Sequence, residues 1–369
     1  MTMPSHPEPG DNLSCDKGDP SIRTAMRPFT ISIRRVSALV NSKSIITVIA
    51  ITLGAVVTTG AIVAVRSSPH SQLIPDSPEW HRLHPVYAAP LPVRTQSYLG
   101  AYETTSPNSY KGMRTFAKTI GRTPNLALYY SGWWEPFRTS FAREAYNSGA
   151  TPVVQIDPSN PPHNMVSIAG IVAGEYDSYL ESFADEVADF GHQVVVGFGH
   201  EPDGKWYTWG QDYISPAVWV AAWQHIVEVF RQQGAYNVTW LWTMNVLGNQ
   251  THPLSAYWPG SSYVNWVGID GYYQHPDSTY AQVFGPTIVA IREFTKAPIL
   301  IAETAVTKTN MRPSQIAGMD AGIRSFENLG IIWFDMNVPD LPYRLEGDEG
   351  AIAVFRRMIR PWQLEQPGA

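Results

Sequence analysis

The 369-residue chain has a single cysteine, Cys15. No disulfide can form within it, and no cysteine cluster exists to hold zinc. Charge is also sparse. Only 16% of residues are charged, 26 basic against 32 acidic, for a net charge of −6. No basic stripe runs through the second half, which excludes nucleic acid as an expected partner. The glycine-rich phosphate turn of doubly wound sheets is missing after the first strand-like run. The G-x-S-x-G elbow of serine hydrolases is missing too. The zinc-site pattern H-E-x-x-H starts at His200 and Glu201 but fails at Gly204, where the second histidine would stand.

Apolar runs and aromatic rings are plentiful instead. Residues 44–65 (SIITVIAITLGAVVTTGAIVAV) form a 22-residue stretch without a charge. As a helix it rises ~33 Å, enough to cross a hydrocarbon core. Lys43 and Arg66 bracket it, and Lys17, Arg23, Arg27, Arg34 and Arg35 lie upstream. The positive-inside rule then puts the N-terminus in the cytoplasm and the rest outside the cell. A cleaved signal peptide is the competing reading. The stretch is longer than the usual ~7–15-residue apolar region, and its end lacks a good A-x-A site. The expected organisation is a disordered tail over 1–43, a membrane anchor over 44–65 and a proline-rich spacer over 66–94. A folded domain follows over 95–363.

In that domain short apolar runs alternate with amphipathic stretches. The runs are 96–102, 126–132, 151–157, 193–201, 238–245, 264–272, 298–303 and 331–337. Most are apolar on both parities, as parallel strands buried on both faces require. Helical spacing falls at 177–190, 215–233, 280–295 and 319–328. Eight such runs with helical connections over about 270 residues predict an α/β fold of the (β/α)8 barrel type.

A barrel of this type carries its site at the C-terminal ends of the strands. Those ends hold Asp157, His200 with Glu201, Asn245, Asp270 with Tyr272, Glu303, and Asp335 with Asn337. Any one of them could be a helix cap. The set as a whole predicts a polar pocket. Glu201 and Glu303 end the fourth and seventh runs, which lie across a barrel mouth. Two carboxyls facing one cleft suit glycoside hydrolysis, where one protonates the leaving oxygen and the other attacks the anomeric carbon. The thirteen tryptophans and eighteen tyrosines fit either a large aromatic core or a cleft whose rings stack on sugars. Trp133 and Trp134 follow the second run. Paired there, they are candidates for a distal sugar contact, and the competing reading is that one of them only packs under the loop.

The stretch GFGHEPDGKWYTWG at 197–210 resembles the acid/base motif of glycoside hydrolase family 26, the β-mannanases and related enzymes of the retaining clan A. The matching residues are His200, Glu201, Gly204, Trp206, Tyr207, Trp209 and Gly210. VGIDGYY, ILIAETA, WLWTMN and IIWFDMN resemble that family's sixth, seventh, fifth and eighth strands, and the likeness covers about 95–360. It implies Glu201 as general acid/base and Glu303 as nucleophile, with retention at the anomeric carbon. It also implies Tyr272 on the nucleophile and Trp333 lining the subsite of the cleaved sugar. His200, Trp206, Trp209, Trp134, Asn245 and Asp270 complete the expected substrate-binding set. No cofactor or metal is implied, and a monomer acting on a polysaccharide is expected. The chain departs from the pattern at Gly197, where many members have arginine, and at Pro202 and Asp203, where Met-Asn or similar is common. The rival reading is a non-catalytic carbohydrate-binding protein on the same barrel. Loss of either glutamate would point to it, and both are present.

Overall fold

The computed structural model describes residues 91–160, 163–339 and 341–366. The expected tail, membrane segment and most of the spacer lie outside the described residues. Among the described residues no helix is long and apolar enough to cross a membrane.

Eight parallel strands close into a barrel. They are β1 (Tyr98–Tyr102), β2 (Leu126–Gly132), β3 (Thr151–Asp157), β4 (Val194–Phe198), β5 (Val238–Asn245), β6 (Trp266–Asp270), β7 (Ile299–Thr304) and β8 (Gly330–Phe334). Each pairs with its neighbours in chain order, and β8 pairs with β1 to close the ring. All these strands but β1 and β5 are fully buried along their length, so the continuous apolar runs reflect burial on both faces. The longer helices are α1 (Lys111–Ile120), α2 (Thr139–Asn147), α3 (Asp177–Phe190), α4 (Pro216–Gln232), α5 (Gly285–Arg292), α6 (Arg312–Ser325) and α7 (Glu349–Ile359). On α3, Leu180, Phe183, Ala184 and Val187 are buried, the i, i+3, i+4, i+7 stripe of a helix lying on a sheet. Gly191 ends that helix in the left-handed region at φ 71°.

Several boundaries differ from expectation. The β5–β6 connection carries only a 3-10 turn, Leu254–Tyr257. Helix α6 starts seven residues before the expected 319, with Pro313 in its first turn, where a missing N–H costs nothing. Leu91 is buried in the core, and Arg94 pairs with Glu365 at 2.7 Å. The barrel unit therefore begins upstream of residue 95.

Strand parity decides what faces the barrel axis. On β8, Ile332 and Phe334 point inward. A Cβ built at inward-facing Gly100 would lie 2.8 Å from Ile332 Cγ1, and the Phe334 ring stacks on Tyr102 at 4.9 Å. Trp333 therefore points outward, contrary to its expected place in the cleft. It is fully buried between barrel and helices, edge-on to Phe355 of α7 at 5.3 Å and under the Arg312 guanidinium at 5.8 Å.

Two buried acids flank the β1 and β8 ends. Burial and the neighbouring Asp335 push the Glu103 carboxyl up to about 9. Asp335 accepts from Leu345 N–H at 2.8 Å and so ties down the loop after β8. The folded state keeps the Glu103 proton that an unfolded chain loses near 4.5. This stabilisation is complete below about 4.5 and is lost as pH rises through about 9. Glu103→Gln, which keeps a donor but does not titrate, is expected to flatten the fall of Tm between pH 5 and 9. For a domain of this size each kcal/mol is worth roughly 2–4 °C. Thermal melts across that range check it, and an unchanged slope contradicts it.

Candidate active site

The strand-end residues converge at the C-terminal mouth of the barrel. Glu201 reaches it through a sharp turn rather than a longer strand. β4 stops at Phe198, short of the expected residue 201, because Gly199 and Glu201 both take left-handed conformations, at φ 49° and 51°. A non-glycine residue held there stores strain of order 1–3 kcal/mol, which is typical of sites that must aim one side chain. Thr243 C=O accepts from Glu201 N–H at 3.0 Å and fixes the turn.

Glu303 is aimed by a different device. The pairings of β7 with both neighbours shift by one residue near Ala302, a β-bulge of the kind that redirects a side chain. Ala302 lies against inward-facing Gly268, 3.0 Å from a Cβ built there. The extra residue breaks the two-residue alternation, so Glu303, next along the chain, also reaches the mouth. The Tyr130 hydroxyl donates to Glu303 Oε1, and the Tyr272 hydroxyl donates to Oε2 at 2.5 Å. Two phenols thus fix both oxygens of this carboxyl.

Glu201 has a contrasting setting. The Trp206 indole N–H donates to its Oε2 at 2.6 Å, and the Asn245 amide lies 2.5 Å from Oε1. An indole can only donate, whereas an amide can present either its nitrogen or its oxygen. Asn245 can therefore serve a neutral or an ionised Glu201. Burial pushes the Glu201 carboxyl up to about 7. His200 opposes the rise and Glu303 adds to it. Gly204 makes room for the Trp206 ring, since a Cβ there would meet Trp206 Cζ2 at 2.5 Å. Asp203, buried and pushed up to about 6 by that burial, accepts from Asn245 N–H at 3.1 Å and from the Gln250 amide at 3.0 Å. The departure from Met-Asn thus braces the strand that presents Asn245.

His200 is buried, with both ring nitrogens engaged. Nδ1 lies 3.1 Å from Asp157 Oδ1, and Nε2 lies 2.9 Å from the Tyr207 hydroxyl. Burial disfavours its charged form, yet the Asp157 carboxylate outweighs this and pushes the imidazole up to about 9. Trp209 is not a cleft wall as expected. It is buried, stacks on Tyr207 at 4.3 Å and 6°, and donates to His200 C=O at 2.8 Å. Asp270 is also out of reach of substrate. It is fully buried on the inward face of β6, and among the described residues neither carboxyl oxygen has a side-chain hydrogen-bond partner. Burial first, then Glu303 and Glu201, push it well above the carboxylate range. A neutral carboxyl avoids the larger cost of an unpaired buried charge.

Trp134 is 54% exposed in the β2–α2 loop, edge-on to Tyr176 and Tyr179 at 5.6 and 5.3 Å. Trp133 packs beneath it, fully buried. At Gly197 the Gln155 side chain fills the space where a larger residue would project. Any Cβ at 197 would collide with Gln155 Oε1, and Gln155 donates to Thr243 Oγ1 at 3.0 Å. Among the described residues no guanidinium replaces the missing one. Among the described residues no lysine or arginine pairs with Glu201, Glu303, Asp203 or Asp270, and His200 on Asp157 is the ion pair at the mouth. Among the described residues no cluster of three or more His, Cys, Asp or Glu could hold a metal.

The fold and site define a closed (β/α)8 barrel whose mouth presents two buried glutamates in unlike settings. Comparison with known proteins narrows this. Residues 172–312, which include Glu201 and Glu303, match Glycosyl hydrolase family 26. Endoglucanase H of Acetivibrio thermocellus is 29% identical over 279 residues, covering 71% of this chain and 30% of that protein. Mannan endo-1,4-β-mannosidase A and B of Caldalkalibacillus mannanilyticus is 27% identical over 101 residues, covering 26% of this chain and 19% of that protein. The chain spans less than a third of the length of these curated relatives. Among solved structures, a family 26 β-mannanase of Bacteroides ovatus shares the fold with a TM-score of 0.57 at 16% identity, over 74% of this chain and 90% of that one. An endo-β-1,4-mannanase of Cellulomonas fimi gives 0.57 at 18% identity, over 74% and 72%. The chain is thus similar to the glycosyl hydrolases of family 26 in sequence over residues 172–312 and shares the fold of solved members.

Proposed function

We propose that the chain is a retaining glycoside hydrolase acting on a β-linked polysaccharide, a mannan or a glucan, with Glu303 as nucleophile and Glu201 as general acid/base. The observation that carries this reading is the contrast between the two carboxyls. Glu303 is gripped by two phenols that hold both oxygens in place. Glu201 sits near neutrality beside an amide that suits either protonation state. A group that gives up a proton in one step and takes one in the next needs that tolerance.

In the first step Glu303 attacks the anomeric carbon while Glu201 donates its proton to the departing oxygen. In the second, Glu201 takes a proton from water, which displaces Glu303 from the sugar. The product keeps its anomeric configuration. The curated relatives are named for glucan and mannan cleavage, which supports the β-glycan class and leaves both sugars to be tried. The non-catalytic alternative draws no support from a site that keeps both glutamates with their partners.

The experiment is hydrolysis by the full chain of a panel of β-mannan, mixed-linkage β-glucan, xylan and cell-envelope polysaccharides. Release of reducing ends from mannan or glucan is expected, and glycan binding without release would favour the binding protein. The proposed membrane anchor over 44–65 is tested separately. The chain should sediment with membranes at high salt and be digested by protease added to intact cells. Recovery in the soluble fraction at full length would remove the anchor.

A further inference from the structure

We propose that Asp203 is a positioning residue for the proton-transfer steps, acting through Asn245 to hold the amide of that residue on Glu201; this rests on the glycosidase reading above. The contacts run directly from one group to the next. Asp203 Oδ1 accepts from Asn245 N–H at 3.1 Å, and the Asn245 side-chain amide lies 2.5 Å from Glu201 Oε1. The other oxygen, Oδ2, accepts from the Gln250 amide at 3.0 Å. Backbone partners fix the direction of that bond. Gly248 N–H can only donate and lies 2.5 Å from Gln250 Oε1, and Val246 C=O can only accept and lies 3.0 Å from Nε2. Two N–H donors therefore converge on the two oxygens of one buried carboxyl.

Strand geometry shows why Asn245 needs this brace. The β4–β5 ladder ends at Val196 and Trp240, well short of Asn245. Asp203 supplies the acceptor that β4 no longer offers there. Its own place is fixed by the turn that follows the acid/base residue. Gly204 N–H donates to Glu201 C=O at 2.9 Å and closes a four-residue turn. Pro202 stands second in that turn, where its fixed φ is favoured. Beyond it, Gln211 N–H donates to Gly204 C=O at 2.9 Å, and Gln211 Oε1 accepts from Thr251 N–H at 2.5 Å. The β5–β6 loop is thus tied to the segment after Glu201 at two points, and Asp203 is the one that reaches Asn245. An asparagine at 203 has one acceptor oxygen and would leave one of the two N–H donors unpaired.

The test uses the full chain as wild type, Asp203→Asn, Asn245→Ala and the double variant. The substrates are the best glycan of the panel and 2,4-dinitrophenyl β-disaccharides of the gluco and manno series. On the glycan, Asp203→Asn is expected to lower kcat about tenfold. On the dinitrophenyl substrate the first step needs no proton, so kcat/KM should change by less than about twofold. There kcat and KM should fall together, and azide should restore kcat. In the Asn245→Ala background the substitution should cost less than about twofold, because the two residues act as one unit. Equal loss of kcat/KM on both substrates would mean a structural role and would overturn the assignment. So would no loss at all, or full additivity with Asn245→Ala. Thermal melts show whether each variant folds; if Asp203→Asn does not, Asp203→Ser, too short to bridge both donors, is read by the same pattern. A wild-type chain that cleaves neither these substrates nor any glycan of the panel overturns the glycosidase reading and this assignment with it. A wild-type chain that cleaves while Asp203→Asn behaves like it overturns the assignment only.

Discussion

Glu303→Ala is expected to lower the rate of glycan cleavage by at least about 10⁴-fold while leaving the barrel folded. Losses of this order accompany removal of a nucleophile in a covalent mechanism, because no other group can reach the carbon from that side. The physical case rests on the two phenols. Tyr130 and Tyr272 hold both Glu303 oxygens, so the carboxyl is already oriented before substrate arrives, and orientation of this kind supplies much of catalysis. Truncation leaves two tyrosine hydroxyls to find water in the cavity, which argues for a modest change in stability. Circular dichroism melts and rates on the same preparations separate the two effects. Azide added to Glu303→Ala should give a glycosyl azide of inverted configuration and no retained product. Residual activity within tenfold of wild type would remove Glu303 from the role.

Glu201→Ala should behave differently. General acid–base assistance contributes about 10²–10⁴-fold, and that loss is expected on natural glycans. On 2,4-dinitrophenyl glycosides the departing phenolate needs no proton, so formation of the glycosyl-enzyme should survive and its hydrolysis become limiting. Azide, which needs no general base, should then restore turnover and give a glycosyl azide of retained configuration. In the wild type, kcat/KM for unactivated substrates should fall as pH rises through about 7, because Glu201 must be protonated to act and burial holds its carboxyl near that value. The pH profile for activated substrates should lack this basic limb. Swapped azide behaviour between the two variants would exchange the roles.

Much of this was legible in sequence because the barrel imposes a strict rule. Runs buried on both faces mark the strands, and their C-terminal ends mark the site. β2, β3 and β5 begin and end where the apolar runs do, and the two glutamates stand at the mouth. Departures arise where geometry within a strand decides. Trp333 and Phe334 are adjacent, and only the inward parity set by Ile332 tells which one faces the axis. Tyr130 was hidden in an apolar run, although its place two residues beyond inward-facing Leu128 at a strand end is the signal that marks it. The bulge at Ala302 has no marker in an even run of Ile, Leu and Ala. Trp209 and Asp270 have the residue types of a binding site, but burial gives them supporting places. Gly197 reads as a missing arginine. The structure adds that Gln155 occupies the space and that Asp157, beside His200, favours the charged form of that imidazole.

The most direct test of the central claim is the configuration of the first-formed product, followed by proton NMR as the full chain cleaves a reduced-end-blocked β-oligosaccharide of the best panel substrate. The account predicts that the β-anomeric signal appears first and the α signal grows only as mutarotation proceeds. An α product from the first spectra would mean direct attack by water, and would contradict the assignment of Glu303 as a nucleophile.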